Sequence, residues 1–197
     1  MTKNVDEIVV GANGSIYLAP VGTALPTSIS DALGVAFVDA GYVTEDGVTF
    51  TDGKTLESVR AWQSLYDLRK IVTAKEAMAS FSLMQWSGSN VVLAFGGGEV
   101  EEVVAPVTGP PAVPGEYRYH PPAPEAIDER ILAIEWSDGD KDYRLIFPKG
   151  MVSENVETNV TRSAAALLPI TFSILGTDGV DPWILDTNDP AFSDVAA

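Results

Sequence analysis

The sequence contains no cysteine and only one histidine, His120. The first absence removes disulfides, thiolate nucleophiles, iron–sulfur clusters and thiolate zinc sites, and the second removes multi-histidine metal centres. Bases are scarce as well: 12 lysines and arginines stand against 28 acids, for a formal net charge of −16. Such a surface repels nucleic-acid phosphates and anionic lipid heads, and no dense basic run offsets it. No stretch approaches the roughly 18 uninterrupted apolar residues of a membrane-crossing helix. The opening MTKNVDEIVV has acids where a secretory signal has bases, so the chain is expected to be made in a cytoplasm without an export signal. A hydrophobic content of 46%, with 17 glycines and 13 prolines, lies in the globular range. At 197 residues a single core is the default.

What is present reads mainly as strand. Ile16 and Leu18 alternate with Ser15, Tyr17 and Ala19, which predicts a short strand ended by Pro20. Gly22, Pro26 and Gly34 then punctuate a loop, in which SISDALG has room for one helical turn capped by Ser30 or Asp31. In YVTEDGVTFT, Asp46-Gly47 between β-branched runs predicts a hairpin or a sharply bent strand. Residues 52–70 show neither strand alternation nor a helical period and read as a long loop, a feature that is usually functional in a compact domain. Trp62, Leu65, Tyr66 and Leu68 make it too apolar for an idle linker; they either fold back on the core or, with Arg60, meet a partner, since aromatic residues and arginine are enriched at interfaces. The strongest strand covers residues 71–86, with Ala77, Ala79, Phe81 and Leu83 on one face and Met78, Ser80, Ser82 and Met84 on the other.

Serine and asparagine caps before a short apolar run, followed by Gly96, Gly97 and Gly98, predict a helix over residues 90–95. Residues 99–128 hold seven prolines and read as extended surface loop with an edge strand at 116–120. RILAIEW and YRLIFP, joined by SDGDKD, predict a second hairpin, and strands are expected over 151–161 and 165–176. Residues 177–197 hold five acids and no base, and form either a solvated end or an arm laid on a neighbour through Trp183.

No constellation supports chemistry. Asp138-Gly139-Asp140-Lys141-Asp142 begins like a calcium loop, but Tyr143 stands where the glycine belongs and Lys149 where the glutamate belongs, so a plain turn is expected. The three glycines after the helix lack the Gly-Lys-Ser/Thr of a phosphate loop. His120 lies among prolines, and no Gly-x-Ser-x-Gly elbow exists. Catalytic, metal and cofactor residues are therefore predicted as none.

The order of APVGTALPT at 19–27, AGYVTEDGVTF at 40–50, VRAWQS at 59–64 and AMASFSLMQWSGSNVVLAFGGG at 77–98 resembles the major tail proteins, or tail tube proteins, of long non-contractile-tailed bacteriophages of actinobacteria. The resemblance implies a mainly β fold, a β-sandwich or barrel with one short flanking α-helix. It implies a hexameric ring with a shared inner β-barrel, stacked into a virion tail tube through which DNA passes without specific binding. Residues 1–197 form one domain in this reading, with an N-terminal arm 1–13, an inter-ring loop 52–70, a proline-rich loop 103–124 and a C-terminal arm 177–197. Arg60, Trp62, Leu65, Tyr66, Leu68 and Trp183 are the expected subunit-interface residues, while no particular acid is assigned to the lumen. Implied partners are further copies of the chain, a tape measure protein, a tail terminator and a distal tail protein, with no cofactor and no membrane. The physical reading agrees, because a carboxylate-rich bore leaves no phosphate contacts to break during transit. The alternatives are another virion β-protein, such as a tail terminator or capsid decoration, and a monomeric carbohydrate-binding sandwich using Trp62 or Trp183.

Overall fold

The computed structural model describes residues 4–195, so the first three residues of the expected N-terminal arm and the last two of the expected C-terminal arm lie outside the described residues. The strands are β1 (Asn13–Pro20), β2 (Val38–Asp39), β3 (Val43–Val59), β4 (Arg69–Leu83), β5 (Glu99–Val104), β6 (Glu116–His120), β7 (Glu129–Asp138), β8 (Lys141–Val152), β9 (Leu168–Ile174) and β10 (Ile184–Thr187), with helix α1 (Gly88–Ala94) after β4. Eight of them form an antiparallel sheet in the order β2-β1-β7-β8-β9-β4-β3, to which β10 adds beside β8. Strands β5 and β6 make a separate hairpin.

The sheet folds over itself at β8. The first part of that strand, from Tyr143 to Ile146, pairs with β10, whereas Gly150 to Val152 pair with β9. Between the two parts Pro148 and Lys149 oppose Ile131 alone. Such a bulge bends a strand, and proline, which has no N–H for the ladder, fits there. The bend brings Ile16, Leu132, Ile134, Leu145 and Phe147 against Phe81, Leu83, Leu168, Ile170 and Phe172 in one core. The inward phase expected for β4 and β9 is the observed one. This is the sandwich that the resemblance implies.

Strand β7 is buried on both faces from Ile131 to Ile134. Its second face is closed by the loop after β1, through Phe37, Leu25 and Leu33 over Ile131, Ala133 and Ile146. The loop is tied down by Arg144, which is 5% exposed: Nη1 and Nη2 donate to the carbonyls of Ser28 and Asp31 at 3.0 and 2.9 Å, and Nε donates to Glu135. No helical turn forms in SISDALG; instead Asp31 accepts from the backbone N–H and hydroxyl of Thr27, closing a turn that outcompetes helix. Helix α1 starts at a Ser87 cap, whose oxygen accepts from the Asn90 N–H, and stops at Gly96, where φ is +72°. The buried Asn90 side chain donates to the carbonyls of Ala40 and Gln85, joining α1 to the entrance of β3.

Four expectations change. Of the two readings of Asp46-Gly47 the hairpin is excluded and the bent strand holds: residues 44–47 bulge out of β3 opposite Ser82 alone, with Gly47 at φ +68°. A turn and a large bulge ask the same of a glycine, which is why the local sequence does not separate them. Within 52–70, residues 52–59 belong to β3 and 69–70 to β4, so only 60–68 is loop. The proline-rich region contains β5 as well as β6, with its loop divided between residues 105–115 and 121–128. The strand expected over 151–161 ends at Val152, beyond which the polar segment packs by single contacts such as Thr158 Oγ1 donating to the Leu167 carbonyl.

The C-terminal segment is docked on its own subunit through β10. Asp189, buried, accepts from the Tyr143 hydroxyl at 2.6 Å and the Ala191 N–H at 3.0 Å, and pairs with Lys141 at 3.1 Å. The Tyr143 hydrogen bond, more than any other contact, holds the Asp189 carboxyl below the usual range. Burial first, and Asp189 second, push the Tyr143 hydroxyl up to about 12. The lowered carboxylate stabilises docking above the ordinary carboxylate range and loses that as pH falls through its folded value. The raised phenol stabilises docking below its ordinary pKa of about 10 and loses that as pH rises toward its folded value. Amide-exchange protection at residues 184–187, corrected for intrinsic rates, should therefore be flat over roughly pH 5–9 and fall on both sides. In Tyr143→Phe the alkaline fall should disappear; an unchanged alkaline fall would refute the clasp.

Candidate intersubunit surface

Beyond the core, β3 and β4 continue together away from the body. Register runs unbroken in pairing, apart from one bulge after Thr55, from Thr51↔Met78 out to Val59↔Arg69. Most of this arm is exposed on both faces, including Leu56, Val59, Ile71 and Val72. With no buried face there is no reason for polar and apolar residues to alternate, so the sequence of 52–70 carries no period although its backbone is largely strand.

The tip, residues 60–68, is braced from within. Asp67 accepts from the Ser58 hydroxyl at 2.7 Å and from Arg60 Nε at 2.8 Å, and the Leu68 N–H donates to the Val59 carbonyl. The Ser58 hydroxyl, followed by Arg60, holds the Asp67 carboxyl below its ordinary value. These ties fix the loop while its apolar side chains point outward: Trp62 is 99% exposed, Tyr66 84%, and Leu65 and Leu68 are exposed beside them. Arg60, Trp62, Leu65, Tyr66 and Leu68, expected together from the sequence, are thus brought to one tip. Trp183 is placed elsewhere, half-buried with its ring centroid 5.4 Å from that of Phe50 inside the same subunit.

Charge is unevenly shared. Over residues 52–76 the five bases Lys54, Arg60, Arg69, Lys70 and Lys75 outnumber the four acids Asp52, Glu57, Asp67 and Glu76, whereas the whole chain carries −16. Strand pairing makes this denser than the sequence suggests, because it sets Lys54 directly opposite Lys75. The arm thus carries an uncovered apolar end on an acidic body, and exposed apolar patches of this kind are the usual mark of a contact surface.

At the other end of β3 a cleft of about 810 Å³ opens between the two halves of the sandwich. Ile16, Val43, Phe50, Ile134 and Trp136 form its walls, and Asp39, Glu45 and Asp46 stand among its lining residues. The bulge at 44–47, where the β3–β4 register breaks, supplies Thr44, Glu45, Asp46 and Gly47 to its lining. Two of the sheet's unpaired edges border this cleft. Strand β3 is paired on one side only, and β1 meets β2 at Tyr17 and Leu18, with the Ala40 N–H donating to the Ile16 carbonyl, but has no strand partner on that side from Asn13 to Ser15. Leu56, Val59, Ile71 and Val72 on the arm and Val43 and Trp136 at the cleft were missed by sequence reasoning; a cluster of β-branched residues among charges is the signal available for the arm.

A family model for phage tail tube proteins matches residues 1–196. The chain belongs to that family. It is a structural subunit of the virion tail, from a family that self-assembles into a tube. Among curated proteins none matches the chain. For a tail tube protein, bare edges and an exposed apolar arm are not the liabilities they are in a monomer, since copies of the same chain can cover them. His120 is exposed and 3.1 Å from Glu101, the Asp138–Asp142 run is the β7–β8 turn, and among the described residues no group of three or more His, Cys, Asp or Glu is placed to hold a metal ion. No helix among them is long and apolar enough to cross a membrane.

Proposed function

We propose that six copies of this tail tube protein close into a ring, that rings stack through the β3–β4 arms, and that the stacked bore conducts viral DNA during ejection. The observation that carries this reading is the arm itself, some 25 residues of strand and tip with an apolar end that its own subunit leaves uncovered. Closure of the ring covers the bare edges of β3 and β1 by joining sheets of neighbouring copies into one inner barrel. Only closure removes sheet edges altogether. The outward face of β3, β4 and β9 supports passage without sticking. Its shallow depression of about 260 Å³ is lined by Thr44, Thr49, Ser80, Ser82, Asp46 and Glu154 among others, and by no lysine or arginine. A wall of hydroxyls and carboxylates offers DNA phosphates no counter-charge. The tape measure, terminator and distal tail proteins are the partners that would set the length and close the ends of such a tube. Electron microscopy of concentrated protein tests the reading: hollow tubes built of six-fold rings are expected, and dispersed monomers under every assembly condition would reject it.

A further inference from the structure

Resting on that tube reading, we infer that the tip of each arm seats in the sandwich cleft of a copy in the adjoining ring. Three observations converge. The tip is apolar, and the arm behind it carries a small excess of bases on an otherwise acidic chain; the cleft has apolar walls with acids among its lining residues, so the two surfaces match in hydrophobicity and lean to opposite charge. Glu45 and Asp46, on the bulge, have no ion-pair partner among the described residues, leaving their charge for a neighbour. Tip and cleft also lie at opposite ends of one strand, with the twelve-residue run from Val48 to Val59 between them spanning about 36 Å.

A surface at one end that fits a different surface at the other makes a head-to-tail contact, which propagates without limit unless rotation closes it. Within a ring that contact would close; along an axis it stacks. A cleft of about 810 Å³ is in the range that takes several side chains, enough for Trp62 and Leu65 together. The cleft takes part of its lining from the bulge and the tip its rigidity from Asp67, so both partners are preorganised before they meet.

The absence of cysteine makes a clean test. The double variant Leu65→Cys with Thr44→Cys, oxidised after assembly, should give a ladder of disulfide-linked species beyond dimer on a non-reducing gel, collapsing on reduction. Each single variant should give no more than dimer. A second pair, Tyr66→Cys with Tyr42→Cys, samples the same contact one step outward and guards against poor disulfide geometry at the first, since bridging needs Cα atoms within about 7 Å. The same samples are imaged. Tubes present with a ladder from either pair bear out the seat. Tubes present with no ladder from both pairs overturn it and leave the tube reading standing, whereas a parent chain that never forms tubes overturns both.

Discussion

Phe172→Ala lowers the unfolding free energy of the subunit by about 3–5 kcal/mol. Phe172 is fully buried and sits on β9 where the two halves of the sandwich join, opposite Ala79 of β4 on one side and Val152 of β8 on the other. The ring fills the space above Gly150, where even an added Cβ would lie 2.2 Å from its Cε1. A backbone pressed that closely cannot collapse into the cavity that truncation leaves, which places the cost toward the upper end of the range. Urea unfolding of the unassembled subunit measures it. For a domain of this size the corresponding fall in Tm is about 10 °C. A loss below about 1 kcal/mol would show that the β9 face is not the core face.

Replacing residues 60–68 by Asn-Gly abolishes tube formation while leaving the subunit folded. The substitution joins Val59 to Arg69, which are already directly paired, through the two-residue turn that hairpins favour. Because the tip packs on nothing in its own subunit, circular dichroism and Tm should stay at their parental values. The pelletable fraction after ultracentrifugation should fall to background, because the shortened arm lacks Trp62, Leu65 and Tyr66 together. Buried aromatic anchors of this kind are worth 2 kcal/mol or more each in a contact, about a 30-fold loss per anchor. Tubes of ordinary length from the shortened chain would exclude the arm from stacking altogether.

These two variants separate what alternation records from what it cannot. Phe81, Leu83, Ile170 and Phe172 share a buried face, and their spacing of two made that face readable along the chain. The Ser87 cap and the glycine stop of α1 were readable for a local reason as well, since each satisfies backbone groups within a few residues. The arm was not readable as strand because both its faces meet solvent, and β10 was not because four residues are too few to show a period. The exposed apolar residues of the tip stood out by composition alone, as aromatic and aliphatic side chains with no core of their own. Trp183 has the same composition signal and a different fate, for β10 lays it against Phe50.

By itself the sequence determined a mainly β chain of one core, its strongest strands with their inward residues, its helix and stop, and its likeness to tail tube proteins, because these depend on spacing and order within short stretches. Tertiary structure alone decided that Asp46-Gly47 is a bulge rather than a turn, that residues 52–70 build an arm, that β8 bends to serve both halves of the sandwich, and that an acidic cleft lies at the far end of β3 from an apolar tip. Each of these depends on which distant strand supplies the missing hydrogen bonds, and pairing partners tens of residues away leave no local mark on the chain.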